Sequence, residues 1–337
     1  MKIFVTGGCG FIGSNFIIKQ IYENENHIFN YDKLTYAANQ NNLLILNKSD
    51  KYFFEKGSIE DSSLVTSLLD KYKPRAIINF AAESHVDRSI SDSNAFIETN
   101  IIGTHVLLKN SLKYFEKLNG LQRDRFRFIQ ISTDEVYGSL KEDSPQSIEK
   151  SPYFPNSPYS ASKASGDHLA RAWHETYGFP VITSNCTNNY GPFQHEEKLI
   201  PLMISFCLQG KKLPVYGNGS NIRDWLYVKD HCDALSLILE SGKTGETYNI
   251  GGQNELKNLE VVNKICNILD SISPKKDGKS YSDQITFVED RLGHDYRYGL
   301  NISKIKSHLG WSPKENFDSG LKKTIEWYLK INDVHKR

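Results

Sequence analysis

Cysteine is scarce in this chain of 337 residues, and scattered where it occurs. Cys9, Cys186, Cys207, Cys232 and Cys266 form no CxxC pair, which argues against a disulfide framework or thiolate zinc site and fits a reducing cytoplasm. The ten histidines show no HExxH or similar spacing, so no metal is expected. No apolar run approaches the roughly 20 residues of a membrane span. An excess of one charge is also missing: 41 Lys plus Arg stand against 40 Asp plus Glu. That balance gives no electrostatic reason to expect nucleic acid or an anionic membrane as a partner. The opening MKIFVTGG runs directly into a predicted strand, and no signal peptide is read there. Internal repeats, low-complexity tracts and long linkers are absent too. The remaining composition, 39% hydrophobic and 24% charged, is that of an ordinary soluble globular protein.

The pattern that is present alternates. KIFVT (2–6), HIFNY (27–31), KYFFE (51–55), AIINF (76–80), RFRFIQI (125–131) and PVITSN (180–185) read as buried strands. Helices are predicted over 11–23, 62–72, 94–117 and 159–177, with a proline-rich loop at 142–158. This spacing implies right-handed βαβ units and a doubly wound parallel sheet, an α/β fold of Rossmann type. Beyond about 190 the pattern loosens. Short strands (LPVY, RDWLYV, TYNIG) mix with helices near 199–209, 229–241, 258–270 and 317–331. We expect a Rossmann domain over 1–180 and a smaller α/β substrate-binding domain over 181–337, with some interleaving and a cleft between them.

TGGCGFIG (6–13) follows the first strand and opens the first helix. Gly7, Gly10 and Gly13 give GxxGxxG, and Gly8, Gly10 and Gly13 give GxGxxG. Such glycines let the turn take positive φ and let backbone approach a pyrophosphate at the helix N-terminus. Asp32 closes the second strand, where an acid that binds ribose hydroxyls belongs. It would repel a 2′-phosphate, which favours NAD over NADP, although Lys33 stands beside it.

SPYSASK (157–163) places Tyr159 and Lys163 on one face at a helix start. An ammonium near a phenol favours the phenolate, and a Tyr–Lys pair beside nicotinamide can take the proton of a substrate hydroxyl as hydride leaves its carbon. The fifth strand ends nearby at Ser132–Thr133, and catalytic groups gather at such carboxyl ends. Thr133 would supply a second hydroxyl at the reacting oxygen. ISTDEVYG (131–138) then sets Asp134 beside Glu135, two carboxylates that repel and are costly to desolvate.

TGGCGFIG, YDKLTYAAN, AAESHVDRS, FIETNIIGT, ISTDEVYG, SPYSASKA, NCTNNYGP, EKLIPL and RDWLYV together resemble the dTDP-glucose 4,6-dehydratase family of extended short-chain dehydrogenases, from residue 2 to about 330. The resemblance implies a hydro-lyase with tightly held NAD, acting on a nucleotide sugar by C4 oxidation, loss of water across C5 and C6, and return of hydride to C6. It makes Glu135 the base at C5 and Asp134 the acid at O6. It puts Phe11 and Ile12 in the pyrophosphate turn, and Asp32, Lys33, Leu34 and Thr35 around the adenosine. Ala81, Ala82, Ser84 and Thr99 lie beside the nicotinamide half, Asn189 contacts the cofactor and Asn188 the substrate. Lys198, Leu199, Pro214, Val215, Tyr216, Arg223, Asn258, Arg291 and His294 resemble the nucleotide-sugar pocket, which Ser84 and Thr133 also reach. Arg223 and Arg291 suit a diphosphate, because guanidinium is a permanently charged donor fork. Asp87 and Arg88 receive no role. The resemblance also implies a homodimer through the helices near 94–117 and 159–177, and a product used in deoxysugar synthesis, commonly rhamnose for surface polysaccharides.

Two positions depart from the family pattern. Ser58-Ile59 stands where the family has Asp-Ile beside adenine, and RLGHD replaces RPGHD, with Leu292 for proline. The alternatives are the same dehydration of UDP-glucose, another nucleotide-sugar epimerase or decarboxylase on this scaffold, or a non-catalytic NAD-binding protein. The last would be expected to have lost part of the set Thr133, Asp134, Glu135, Tyr159 and Lys163, all of which are present.

Overall fold

Apolar side chains alternate along the first strand, and the alternation sorts them to two faces. Ile3 and Val5 pack in one core with Ile28, Ile78 and Ile129. Phe4 points into another with Phe29, Tyr31, Ile77 and Phe128. Strands buried on both faces require helices on both sides, and the computed structural model, which describes residues 1–335, has that arrangement. Its main sheet has seven strands in the order β10-β6-β5-β4-β1-β2-β3, every neighbouring pair parallel. The strands are β1 (Lys2–Thr6), β2 (His27–Asp32), β3 (Tyr52–Lys56), β4 (Ala76–Asn79), β5 (Arg127–Thr133), β6 (Val181–Cys186) and β10 (Thr247–Ile250).

The chain runs outward from β1 to β2 and β3, then returns to lay β4, β5 and β6 on the other side. Such a reversal opens a crevice at the carboxyl ends of the strands, between β1 and β4. Helices Ser62–Tyr72, Thr104–Glu116 and Pro158–Tyr177 cover one face. Helices Phe11–Tyr22 and Val228–Ser241 cover the other and touch each other. A three-stranded sheet joins β11 (Glu255–Lys257), β9 (Ile222–Tyr227) and β7 (Asn188–Tyr190), and β12 (Ile285–Val288) pairs with β8 (Leu213–Tyr216). A separate core, including Met203, Trp225, Val261, Ile265 and Leu321, backs these strands.

Several elements differ from expectation, and β6 and the Val228–Ser241 helix, both beyond the expected boundary at 180, belong to the main sheet and its helix layer. TYNI, read among the short strands of the second domain, instead closes the main sheet beside β6. The Val228–Ser241 helix packs under the sheet, and the chain leaving it meets the open β6 edge. The single helix predicted over 94–117 is also broken into Asn94–Phe96, a π-helical stretch Ile97–Gly103 and Thr104–Glu116. The wider turn carries Asn100, whose amide Nδ2 donates to the Glu83 carbonyl (2.9 Å) and Ser162 Oγ (2.8 Å), while its Oδ1 accepts from the Glu83 N–H (2.9 Å). The buried asparagine fastens the loop after β4, and π-turns of this kind gather at functional sites.

Candidate active site

The crevice predicted by the strand order is a cleft of about 300 Å³. Its floor is the carboxyl ends of β1, β2, β4, β5 and β6. On the β1 side Gly7, Gly10, Phe11, Ile12 and Gly13 line it. Gly7 has φ +67°, and a Cβ there would stand 2.5 Å from the Ala81 backbone N. Gly10 precedes the Phe11–Tyr22 helix without any side-chain cap, and a Cβ there would meet only the Gly7 carbonyl, at 3.3 Å. An uncapped helix start facing a cleft offers N–H donors to an anion. Asp32 is buried on the wall beside them. Its carboxylate accepts from the Cys9 N–H through Oδ2 and the Leu34 N–H through Oδ1, both at 2.8 Å. Burial raises its pKa while these two N–H groups lower it. The remaining lone pairs can accept ribose hydroxyls.

Lys33, Thr35, Ser58 and Ile59 continue the wall, followed by Ala81, Ala82, Ser84 and Thr99. Ser58 also accepts through its carbonyl from the Tyr31 hydroxyl (2.6 Å), so the residue that replaces the family's aspartate is held firmly. Leu34 is not on the wall. It sits at φ 60° and acts through its backbone, by fixing Asp32. Buried Asn188 Oδ1, Thr187 Oγ1 and Asp134 Oδ2 at the same cleft have no hydrogen-bond partner among the described residues. Buried polar atoms are normally satisfied, so these orphans, with the glycine cradle, fit a bound dinucleotide and a polyhydroxyl substrate.

The reacting end lies where β5 stops. Thr133, Asp134, Glu135, Tyr159 and Lys163 all line the cleft. Thr133 caps a short 3₁₀ helix, Asp134–Tyr137, by accepting from the Glu135 N–H (3.3 Å), and its hydroxyl donates to Asp134 Oδ1 (3.1 Å). This turn explains how two adjacent carboxylates stay together: it aims both into the cleft instead of letting them spread in solvent. Ser157 and Ser160 cap the Pro158–Tyr177 helix reciprocally, which fixes Tyr159 and Lys163 in its first turns. Lys163 Nζ donates to the Ile131 carbonyl (2.6 Å).

Electrostatics separates the two acids. Burial, then the Glu135 charge, pushes Asp134 well above the usual carboxylate range. Glu135 is raised by burial too, against the opposing pull of Arg223, Arg291 and Lys198. Both carboxyls are held up by burial, Asp134 the more strongly, so Asp134 is the better placed of the two to carry a shared proton. The expected lowering of the Tyr159 phenol by Lys163 does not dominate. Burial and then the Glu135 charge push the phenol well up, and Thr133 opposes them by hydrogen bonding.

Of the remaining residues, Asn188, Asn189 and Lys198 line the cleft, and Lys198 Nζ donates to the Ser84 carbonyl (3.0 Å). Leu199, Pro214, Val215, Tyr216, Arg223, Asn258, Arg291 and His294 lie behind or beyond its wall. Val215 is only 2% exposed in the second core, so a ligand can meet its backbone alone. Arg223 is buried, donates to the carbonyls of Ile222, Asp295 and Tyr296, and stacks over Tyr298 at 4.5 Å. Tyr216 meets His294 edge-on (6.2 Å). Buried Asn258 Oδ1 and Arg291 Nε lack partners among the described residues.

Several residues carry more than the motifs showed. Asp87 pairs with Arg291 (3.4 Å). Arg88 lies over the Tyr36 ring at 3.5 Å and 3.7 Å from Glu197, so these residues tie the loops after β2, β4 and β7 together at the cleft mouth. Asp167, one turn beyond Lys163, is buried and accepts from Ser132 Oγ (2.6 Å) and the Tyr153 hydroxyl (3.2 Å). Burial lifts its pKa to about 6 against the pull of Lys163, while its charge props up a Lys163 pKa that burial lowers. The spacing of four from Lys163 was the available signal. Asp167→Asn removes the counter-charge, so the ammonium should deprotonate at lower pH. The alkaline limb of a pH–rate profile is expected to move down, and any acid-side inflection near the Asp167 pKa of about 6 should vanish. An unshifted profile would remove Asp167 from the proton chemistry.

The family described as GDP-mannose 4,6 dehydratase matches residues 4–324. A dTDP-glucose 4,6-dehydratase of Salmonella typhimurium is 53% identical over 337 residues, covering 98% of this chain and 93% of the relative. The crystal structure of dTDP-glucose 4,6-dehydratase from Bacillus anthracis in complex with NAD superposes with a TM-score of 0.87 at 45% identity, covering 99% of this chain and 98% of that one. The dTDP-glucose 4,6-dehydratase of Streptomyces venezuelae, solved with NAD and a second ligand, gives 0.89 at 42% identity with the same coverage. With the glycine cradle, the Tyr159–Lys163 pair and the Asp134–Glu135 pair all on one cleft, the chain belongs to the dTDP-glucose 4,6-dehydratase family.

Proposed function

We propose that this enzyme converts dTDP-D-glucose to dTDP-4-keto-6-deoxy-D-glucose with NAD that stays bound through the cycle. The observation that carries the reading is the pair of carboxylates, Asp134 and Glu135, that the turn at the end of β5 brings onto the cleft with Tyr159 and Lys163. An epimerase needs no such pair. NAD, when bound, takes the hydride from C4 and gives it back at C6. The Gly7–Gly13 turn and Asp32 would hold its pyrophosphate and ribose.

The residues then divide the proton work. Tyr159 takes the O4 proton; its phenol, held up by burial and the Glu135 charge in the protein alone, would be lowered by the positive nicotinamide ring of bound NAD. The C4 ketone acidifies C5–H, which Glu135 removes as the ionised partner. Asp134, the protonated partner, delivers its proton to O6, so the C6 oxygen leaves as water and not as hydroxide. Glu135 finally returns its proton to C5. Lys198, Arg223 and Arg291 oppose the effect of burial on Glu135 and suit the sugar diphosphate. By the same reading the protein works in the cytoplasm as a homodimer. Ile97 and Ile102, 47% and 50% exposed along the 94–116 segment, are apolar surface that a second copy would cover.

The test is incubation of the purified protein, without added NAD, with dTDP-glucose and separately with UDP-glucose, followed by mass and NMR. Loss of one water from dTDP-glucose, with a 4-keto group and a C6 methyl in the product, is the expected result. Water loss from UDP-glucose alone would change the substrate and keep the chemistry. Unchanged mass with NAD supplied would overturn the proposal. The two nucleotides differ by one methyl, worth about 1–3 kcal/mol of discrimination, so both rates are needed.

A further inference from the structure

The parallel sheet has two ends, and the cleft takes up only the carboxyl end. At the amino end lies a second cavity of about 580 Å³, where β1 and β4 begin and the Thr104–Glu116 helix stops. Lys2, Lys73, Arg75, Lys117 and Arg125 line it, against a single acid, Asp70. That acid is already taken, because Lys117 Nζ donates to both of its oxygens, at 2.9 and 3.1 Å. Among the described residues the other four cations of the wall have no carboxylate within ion-pair distance.

Solvated lysines at a helix end need no explanation, but Arg75 is of another kind. Its backbone is locked into the sheet, the N–H donating to the Lys2 carbonyl (2.9 Å) and the carbonyl accepting from the Arg127 N–H (3.4 Å). The register that pairs Ile3 with Ala76 sets Lys2 and Arg75 side by side one residue earlier, on the same face. Arg75 Nε is buried and has no hydrogen-bond partner among the described residues. Burial and the charge of Arg125 both disfavour this cation, and the Glu240 charge opposes them without pairing with it. Buried donors are normally satisfied, and a desolvated charge without a partner is costly. The sheet uses only the backbone of Arg75, so a neutral side chain would serve the fold as well. The guanidinium is left over, and it faces a cavity.

The rest of the wall is apolar, formed by Pro74, Tyr114, Leu118 and Leu121. Tyr114 spends its hydroxyl on the Pro74 carbonyl (3.0 Å), so its ring is what remains for an occupant. Leu121 is 70% exposed at the rim. An inorganic anion would use the charges and leave this apolar surface bare.

We propose that the cavity is a second ligand site and takes a phosphorylated nucleoside, with phosphate against Arg75 and Arg125 and the base against Tyr114 and the leucines. Guanidinium forks match phosphate oxygens two at a time, and aromatic rings accept the face of any base. The volume lies in the range of small-molecule sites. The site stands apart from the cleft, and its existence does not depend on which reaction the cleft catalyses.

Equilibrium dialysis of the NAD-loaded protein against dTDP counts the sites. The wild type should bind one more equivalent per chain than the protein carrying both Arg75→Gln and Arg125→Gln. Neither arginine lines the cleft, so the difference reads the second cavity alone, whatever the cleft binds. Pyrophosphate should fill the extra site at least about tenfold more weakly than dTDP, for want of a base to stack, and thymidine should not displace dTDP from it. Should the double variant fail to fold, Arg125→Glu reverses the charge at an exposed position and is read the same way. Equal numbers of bound dTDP in wild type and variant would overturn the site. Pyrophosphate bound as tightly as dTDP would overturn the nucleoside and leave a cavity that holds an adventitious ion only.

Discussion

Glu135→Gln is expected to arrest the enzyme after its first chemical step. Glutamine keeps the shape of glutamate and the backbone N–H that Thr133 caps, but it cannot take the C5 proton. Oxidation at C4 uses Tyr159 and does not need Glu135. Mixing the variant with dTDP-glucose should therefore build up the near-ultraviolet absorbance of reduced nicotinamide, while water loss falls by about 10²–10⁴-fold, the usual share of a positioned base. The wild type should show that absorbance only transiently. Removing the Glu135 charge also relieves Asp134 and Tyr159, both of which it pushes up, so C4 oxidation is expected to reach its optimum at lower pH than in the wild type. Unchanged water loss would take Glu135 out of the mechanism.

Gly7→Ala is expected to cost both stability and cofactor. Gly7 donates its N–H to the Tyr31 carbonyl (3.0 Å) and accepts from the Gly10 N–H (3.2 Å), so it is pinned between β2 and its own turn. Its φ of +67° is uncomfortable for any residue with a Cβ, and that Cβ would lie 2.5 Å from Ala81 N and 2.7 Å from Ala81 Cα. Both neighbours are backbone and cannot swing aside. Backbone strain of this kind costs about 1–3 kcal/mol, and relief would push the turn away from the chain leaving β4. The variant should melt earlier and purify largely free of NAD, as measured by the nucleotide released on acid denaturation. Gly10→Ala is the contrast. Its φ is −75° and its Cβ meets only one atom, at 3.3 Å, so it should fold almost normally and lose cofactor alone. Equal melting of both variants would remove the close approach at Ala81 as the reason for Gly7.

The parallel sheet and the site at its carboxyl edge were legible because they are written in local patterns. Alternating apolar residues, a glycine turn between strand and helix, and an acid at the end of the second strand all act over a few residues or one βαβ unit. Tyr159 and Lys163 were legible for the same reason, since a helix brings positions four apart together. Asp167 continues that spacing, but nothing local in the sequence marks it as buried against Ser132 and Tyr153. The π-turn at 97–103 was not legible, because the buried bonds from Asn100 to Glu83 and Ser162 outweigh the regular helix only once those segments meet. The place of β10 at the sheet edge likewise depends on the Val228–Ser241 helix packing beneath it.

The sequence by itself determined which carboxylates, phenol and ammonium this protein has at the end of one strand and the start of one helix. Only the tertiary structure decided what those groups are. Asp134 and Glu135 are adjacent in the chain and nearly alike in chemistry. Burial raises both and Arg223 opposes it at both, while Lys198 and Arg291, brought from segments about 60 to 160 residues away, pull on Glu135 and the Glu135 charge pushes Asp134 further up. Local periodicity is set by neighbouring residues. A pKa is set by everything that surrounds the group in space.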